Sequence, residues 1–234
     1  MVYDRYDVWT VAPEGSPARK LTNGRASHLE FRVVRTDNGD DEEERGIDPR
    51  KPLLLRVENL RTRNSGFYSL ANLSAAQPQK LLMGLENYRV LGKAKEADVL
   101  MVTATTFHDQ PDIQITDSSF RQLKKVTDAN PQQSQLLWGS GELIRYRNAD
   151  GVELDAALYK PENFDPSKKY PMLIYIYERL SQSLNSPAPG TSINIAYYVS
   201  NGYLVLPPDI ICTTGHPGQS ALKCVLAGDS GGGR

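Results

Sequence analysis

Tyr170-Pro171-Met172-Leu173-Ile174-Tyr175-Ile176-Tyr177-Glu178-Arg179 and, about one helix further on, Asn201-Gly202-Tyr203-Leu204-Val205-Leu206-Pro207-Pro208-Asp209 decide how this chain is read. Each is an apolar run of strand length bounded by turn residues, and the interval between them suits a helical crossover. Strand, helix and strand make a βαβ unit, hence a parallel sheet with helices on its faces. In the first run Leu173, Tyr175 and Tyr177 alternate with Met172, Ile174 and Ile176, which puts Tyr177 on the less aliphatic side. Open α/β sheets gather their chemistry at the carboxyl ends of their strands. Tyr177 and Asp209 occupy those ends. The strand from Tyr203 to Leu206 is expected at or near an unfinished edge, with unpaired backbone groups.

Before this unit, Leu143 to Arg147, the turn Asn148-Ala149-Asp150-Gly151, and Val152 to Tyr159 read as a hairpin, with Lys160 to Pro166 as the loop that follows. Between the two decisive runs, Thr191 to Val199 has a capping hydroxyl and an apolar face, and Asn201-Gly202 supplies the stop. Upstream of Trp138 the character differs. Short β-prone runs follow one another with turn signals between them, from Asp7 to Val11 through Asp112 to Thr116 and Arg121 to Thr127. That spacing suits a sandwich or a propeller. Asp7-Val8-Trp9-Thr10-Val11 with Ala18-Arg19-Lys20-Leu21-Thr22 is echoed by Asp112-Ile113-Gln114-Ile115-Thr116 with Gln122-Leu123-Lys124-Lys125-Val126-Thr127. A hairpin repeated in this way is the mark of propeller blades. The expected organisation is a strand-rich region of sandwich or propeller type over residues 1–137 and a parallel α/β sheet over 138–234. The fold class is β-rich plus α/β.

Composition narrows the functions. The net charge is −1 with 24% charged residues, so no basic field recommends nucleic acid or an anionic membrane as partner. No apolar run approaches the ~20 residues needed to span a bilayer, and Met1 to Asp7 lacks the apolar core of a secretory signal. Residues 37–49 form an acidic loop without the EF-hand spacing, read as a solvated connection. Cys212 and Cys224 fit neither a redox pair nor a zinc site and read as two buried thiols, and the three histidines are scattered. No metal or cofactor is expected.

Several motifs resemble one family. Arg145-Tyr146-Arg147-Asn148-Ala149-Asp150-Gly151, Tyr159 to Met172, Pro207-Pro208-Asp209-Ile210 and Gly215-His216-Pro217-Gly218-Gln219-Ser220-Ala221 are similar to the start of the α/β-hydrolase domain in the prolyl oligopeptidase family of serine peptidases. The strand-rich part looks like the closing blades of that family's propeller, so the resemblance implies a partial β-propeller over residues 1–137 followed by an incomplete α/β-hydrolase sheet over 138–234. The resemblance implies a hydrolase whose propeller sits over a Ser/Asp/His site and restricts access to peptides. It implies that the nucleophile elbow, Asp and His lie beyond Arg234, so this chain is expected to be the middle of such an enzyme and inactive alone. It carries over one functional position, Tyr177, whose hydroxyl donates to the oxyanion. Read from the residues alone, Tyr177 is a half-buried strand-end tyrosine. Glu178-Arg179 replaces the small glycines that often follow this tyrosine.

Two strings invite other readings. Gly228-Asp229-Ser230-Gly231-Gly232 matches the trypsin-like string and also G-x-S-x-G, but a nucleophile elbow needs a helix after the serine, so a flexible glycine tail, or the scar of a truncation, is expected. His216 and Ser220 stand four apart, yet Pro217 and Gly218 between them argue for a loop. The rival to a peptidase is a non-catalytic β-rich module that binds a peptide or protein. A third reading is a fragment with no independent function. A peptide substrate and self-association through open sheet edges are the expected partners.

Overall fold

The computed structural model describes residues 1–36, 47–186 and 193–231, with side chains described to residue 226 in the last stretch. Most of the acidic loop, the capping Thr191 and the end of the glycine string lie outside the described residues. The chain divides into two compact units: Met1–Thr105 with Pro111–Ala129, and Thr106–Gln110 with Asn130–Arg234.

The first unit is built of antiparallel meanders. β1 (Val2–Tyr3), β2 (Val8–Thr10) and β3 (Arg19–Lys20) form one sheet. β4 (Leu29–Val33), β5 (Leu53–Asn59), β6 (Ser65–Leu70) and β7 (Gln79–Gly84) form the second, in sequential order. β8 (Asn87–Lys93), β9 (Leu100–Thr105), β10 (Asp112–Thr116) and β11 (Lys124–Lys125) form the third. Sequential four-stranded meanders are the blades of a propeller. The two-residue side-chain period explains how they pack. Leu53, Leu55 and Val57 of β5 share a buried cluster with Val8, Leu21 and Phe31, while Leu54 faces the cluster of Phe67, Tyr88, Leu100, Val102 and Phe120. The middle meander is therefore apolar on both faces. Arg56 reaches from it to the third: its Nε donates to the Tyr88 carbonyl and its Nη2 to Asn87 Oδ1, 3.3 and 2.9 Å.

The echoed hairpins are the same object in three dimensions. β2 pairs with β3 in the register Trp9↔Lys20, and β10 with β11 in the register Gln114↔Lys125. Thr22 Oγ1 donates to Asp7 Oδ1 and Thr127 Oγ1 to Asp112 Oδ1, both at 2.8 Å. The middle meander lacks the device. There Gly66 pairs with Met83, and a Cβ on Gly66 would stand 2.1 Å from the Leu82 carbonyl oxygen.

The second unit holds a mixed sheet. β12 (Ser140–Arg147) and β13 (Glu153–Lys160) form the expected hairpin, followed by β14 (Met172–Ile174), α1 (Ile195–Ser200), β15 (Leu204–Leu206) and α2 (Pro217–Gly231). The strand order is β12-β13-β15-β14, with β14 and β15 parallel. This corrects one expectation: the strand around Leu204 is internal, not an edge. β15 pairs with β13 on its other side at Tyr159↔Val205, and all three of its residues are buried. The edge beside it is β14. Both inner strands are apolar on both faces, as strands covered on two sides must be. Ala157, Tyr159 and Val205 pack with Ile195, Ala196 and Val199 of α1, while Ala156, Leu158, Leu204 and Leu206 pack with Phe164, Tyr170 and Met172.

Four further expectations are revised. α1 is capped by Asn194, whose Oδ1 accepts from Tyr197 N at 3.1 Å. The Pro217-Gly218 stretch is not loop but the first turn of α2, because proline's missing N–H is no loss at that position. The helix runs on to Gly231, so Gly228 to Gly231 is helical rather than a loose tail. Of the two cysteines, both free, only Cys224 is buried; Cys212 is exposed.

Candidate active site

Parallel pairing brings the ends of β14 and β15 side by side. Leu204 N donates to the Pro171 carbonyl at 2.9 Å, and Tyr175 N to the Leu206 carbonyl at 3.1 Å. Continued in that register, the next bond back to β14 would come from Pro208. Proline has no N–H to give. The ladder therefore stops, and the strand ends at Ile174 rather than running to Tyr177 as the alternation suggested.

It resumes out of step. Ile210 N donates to the carbonyl of Glu178 at 2.7 Å, where the register of β14 would bring it to that of Tyr177. One extra residue is accommodated between Tyr175 and Glu178, the arrangement of a bulge, and bulges re-aim side chains. Tyr177 sits within this offset, its side chain directed outward and 70% exposed. Ile176 beside it is 48% exposed.

The far side of the loop is anchored by Asp209, the other strand-end residue singled out in the sequence. Ser181 N donates to Asp209 Oδ1 at 2.9 Å and Ser181 Oγ to Asp209 Oδ2 at 2.7 Å. Ser181 is fully buried and Asp209 nearly so, at 8% exposure. A buried carboxylate needs such donors, since leaving it unsatisfied costs several kcal/mol. Asp209 is itself tied to β13 through its N–H to the Asp155 carbonyl, 2.9 Å. Behind it, the Tyr146 hydroxyl is buried without a hydrogen-bond partner among the described residues. Burial first, then Cys224 and Asp209, push that phenol above the ordinary tyrosine range. The Asp209–Ser181 pair joins residues far apart in sequence and had no local signature.

The histidines do not assemble a nucleophile and base in the described residues. His108 Nε2 lies 3.7 Å from Asp109 Oδ2 on the surface. Ser220 Oγ donates to the carbonyl of His216 at 2.8 Å and accepts from Thr213 N at 2.9 Å, so this pair fastens the start of α2. Ser230 lies late in α2, whereas an elbow serine sits on the turn before a helix. Among the described residues no cluster of His, Cys, Asp and Glu is arranged to hold a metal ion. No described helix is long and apolar enough to cross a membrane.

Propeller-type meanders and a mixed α/β-hydrolase sheet together define a class of fold found among peptidases, and the comparisons agree. No family model matches the chain. A probable dipeptidyl-aminopeptidase B of Ajellomyces dermatitidis is 28% identical over 117 residues, 49% of this chain and 12% of that protein. The crystal structure of Porphyromonas gingivalis dipeptidyl peptidase 4 matches with a TM-score of 0.63 at 16% identity, over 87% of this chain and 27% of that one. A post-proline cleaving enzyme from Rickettsia typhi matches with a TM-score of 0.61 at 14% identity, over 93% of this chain and 31% of that one. The resemblance read from the residues thus holds in both sequence and fold: it is to peptidases of the prolyl oligopeptidase family. The matched stretch spans about an eighth of the length of that dipeptidyl-aminopeptidase relative.

Proposed function

We propose that this chain is part of a prolyl-oligopeptidase-like serine peptidase, one that contributes the oxyanion side of the active site through the Tyr177 hydroxyl. The observation that carries the reading is the bulge after β14, which holds the Tyr177 backbone between two fixed points while leaving its phenol in the open. A tetrahedral intermediate concentrates charge on one oxygen, and a donor aimed there in advance stabilises it without reorganisation. The substrate is a peptide. By itself the chain does not hydrolyse it, because acyl transfer needs a serine oxygen set against an imidazole nitrogen. The His108 ring faces Asp109 at 3.7 Å, and the contact of His216 with Ser220 is through its backbone carbonyl.

The test is a graft of residues 143–225 into Porphyromonas gingivalis dipeptidyl peptidase 4 in place of its corresponding segment. Tyr177→Phe in the graft is expected to lower kcat about 10²–10³-fold, the usual cost of one oxyanion donor. An unchanged kcat would remove Tyr177 from the oxyanion site.

A further inference from the structure

We propose that Asp209 is the positioning residue of Tyr177, a role that rests on the reading of Tyr177 as oxyanion donor. An exposed phenol is useful to catalysis only if its backbone is held, since displacement of a group by about 1 Å costs on the order of 10²-fold in rate. The residues between β14 and Ser181 have few apolar anchors of their own: Tyr177 is 70% exposed, and Glu178 and Arg179 are exposed. Polar bonds to the segment after β15 fix them instead. Ile210 N holds the Glu178 carbonyl at 2.7 Å, and the Asp209 carboxylate grips Ser181 through both its N–H and its hydroxyl. Beyond Ser181, Leu184 is buried in the cluster shared with α1.

The grip is rigid because Asp209 is rigid. Its N–H is bonded to the Asp155 carbonyl, Pro207 O accepts from Ala157 N at 3.3 Å, and Pro208 bridges to Ala156. All three ties lead to β13, an inner strand of the sheet. The path therefore runs from a central strand through one carboxylate to the loop that presents Tyr177. Both donors of Ser181 are charge-assisted, roughly twice as strong as neutral hydrogen bonds. Asp209 acts through Ser181 and not on a reacting atom.

The experiment uses the 234-residue chain labelled with 3-fluorotyrosine, the Tyr177 resonance being assigned by its loss in Tyr177→Phe. Asp209→Ala is expected to give Tyr177 the fluorine relaxation of a freely mobile tyrosine and to speed amide exchange at Ser181 and Ile210 by about tenfold or more. Asp209→Asn keeps an acceptor oxygen and is expected to restore the Tyr177 relaxation in part. Ser181→Ala removes only the hydroxyl and tests the same grip should Asp209→Ala fail to fold. Unchanged Tyr177 relaxation and Ile210 exchange in folded Asp209→Ala, or in both milder variants, overturns the proposal. The outcome is separable from the oxyanion reading. Mobile Tyr177 in the Asp209 variants, with kcat unaffected by Tyr177→Phe in the graft, keeps the positioning role and removes the oxyanion role.

Discussion

Asp7 and Asp112 make the same set of contacts in two different sheets. Each accepts from a threonine hydroxyl, Thr22 or Thr127, and from a backbone N–H, Gly24 or Ala129. Each faces a lysine, Lys20 at 2.7 Å or Lys125 at 2.6 Å. Each threonine in turn accepts from the residue after the aspartate, Val8 or Ile113. The sequence offset is constant throughout, so the network is a repeated latch closing the last hairpin of a blade.

The two latches differ in burial, and their variants should differ accordingly. Asp7 is fully buried, whereas the Asp112 side chain keeps 14% of its surface exposed. Asp7→Ala strands Thr22 and the Gly24 N–H without their acceptor and is expected to cost about 2–4 kcal/mol. Asp112→Ala is expected to cost less. Thermal or urea melts of the two variants check the order.

Acid should undo the exposed latch in a defined window. Hydrogen bonds from Lys125, Ala129 and Thr127 hold the Asp112 carboxyl down from the ordinary 3.8 to about 2. A carboxylate with a lowered folded-state pKa stabilises above the unfolded value and loses that contribution as pH falls through the folded one. Stability is therefore expected to decline between about pH 4 and pH 2, and Asp112→Asn to flatten that limb. Melting temperature against pH for both chains is the measurement.

Gly66 of the middle meander has no room for a side chain. Aspartate at Gly66 would place its Cβ against the Leu82 carbonyl and against Met83 Cα, where the nearest contacts are 2.1 and 2.8 Å. Backbone cannot yield there without breaking the β6–β7 ladder. Gly66→Asp is expected to lower the melting temperature, which a thermal melt checks.

Purified chain is expected not to react with a fluorophosphonate probe, which needs an activated serine. Ser230→Ala should leave that result unchanged. Labelling that disappears in Ser230→Ala would make the late α2 serine a nucleophile and remove the inactive-alone reading.

The outer edge of β14 is where self-association through the sheet is expected. Tyr175 N–H faces β15, so by alternation the N–H of Ile174 faces away. Ile174→Pro blanks that donor and should reduce any concentration-dependent association seen by sedimentation velocity. Association that persists unchanged would place the contact elsewhere.

Local pattern carried much of the fold into view. The alternation in β5, the Asp-Gly turn of the β12–β13 hairpin and the two apolar runs of β14 and β15 all follow from side-chain period and turn chemistry. Strand order did not follow, because placing β15 between β13 and β14 depends on a long-range pairing with no local mark. The helix at Pro217 was hidden by reading proline as a breaker, when at a first turn it is favoured. Tyr177 was legible as a strand-end tyrosine, but the offset that carries it follows from Pro208, two residues beyond the end of β15. The tie of Asp209 to Ser181, and the sharing of one carboxylate by Thr22, Lys20 and Gly24, are likewise contacts that only the folded chain brings together.

The most direct measurement of the central claim is the structure of the graft bearing a peptide boronate on its serine, a stable stand-in for the tetrahedral intermediate. The Tyr177 hydroxyl is expected about 2.7–3.1 Å from the boronate oxygen that occupies the oxyanion position. A Tyr177 ring turned away from that oxygen, with another group donating in its place, would contradict it.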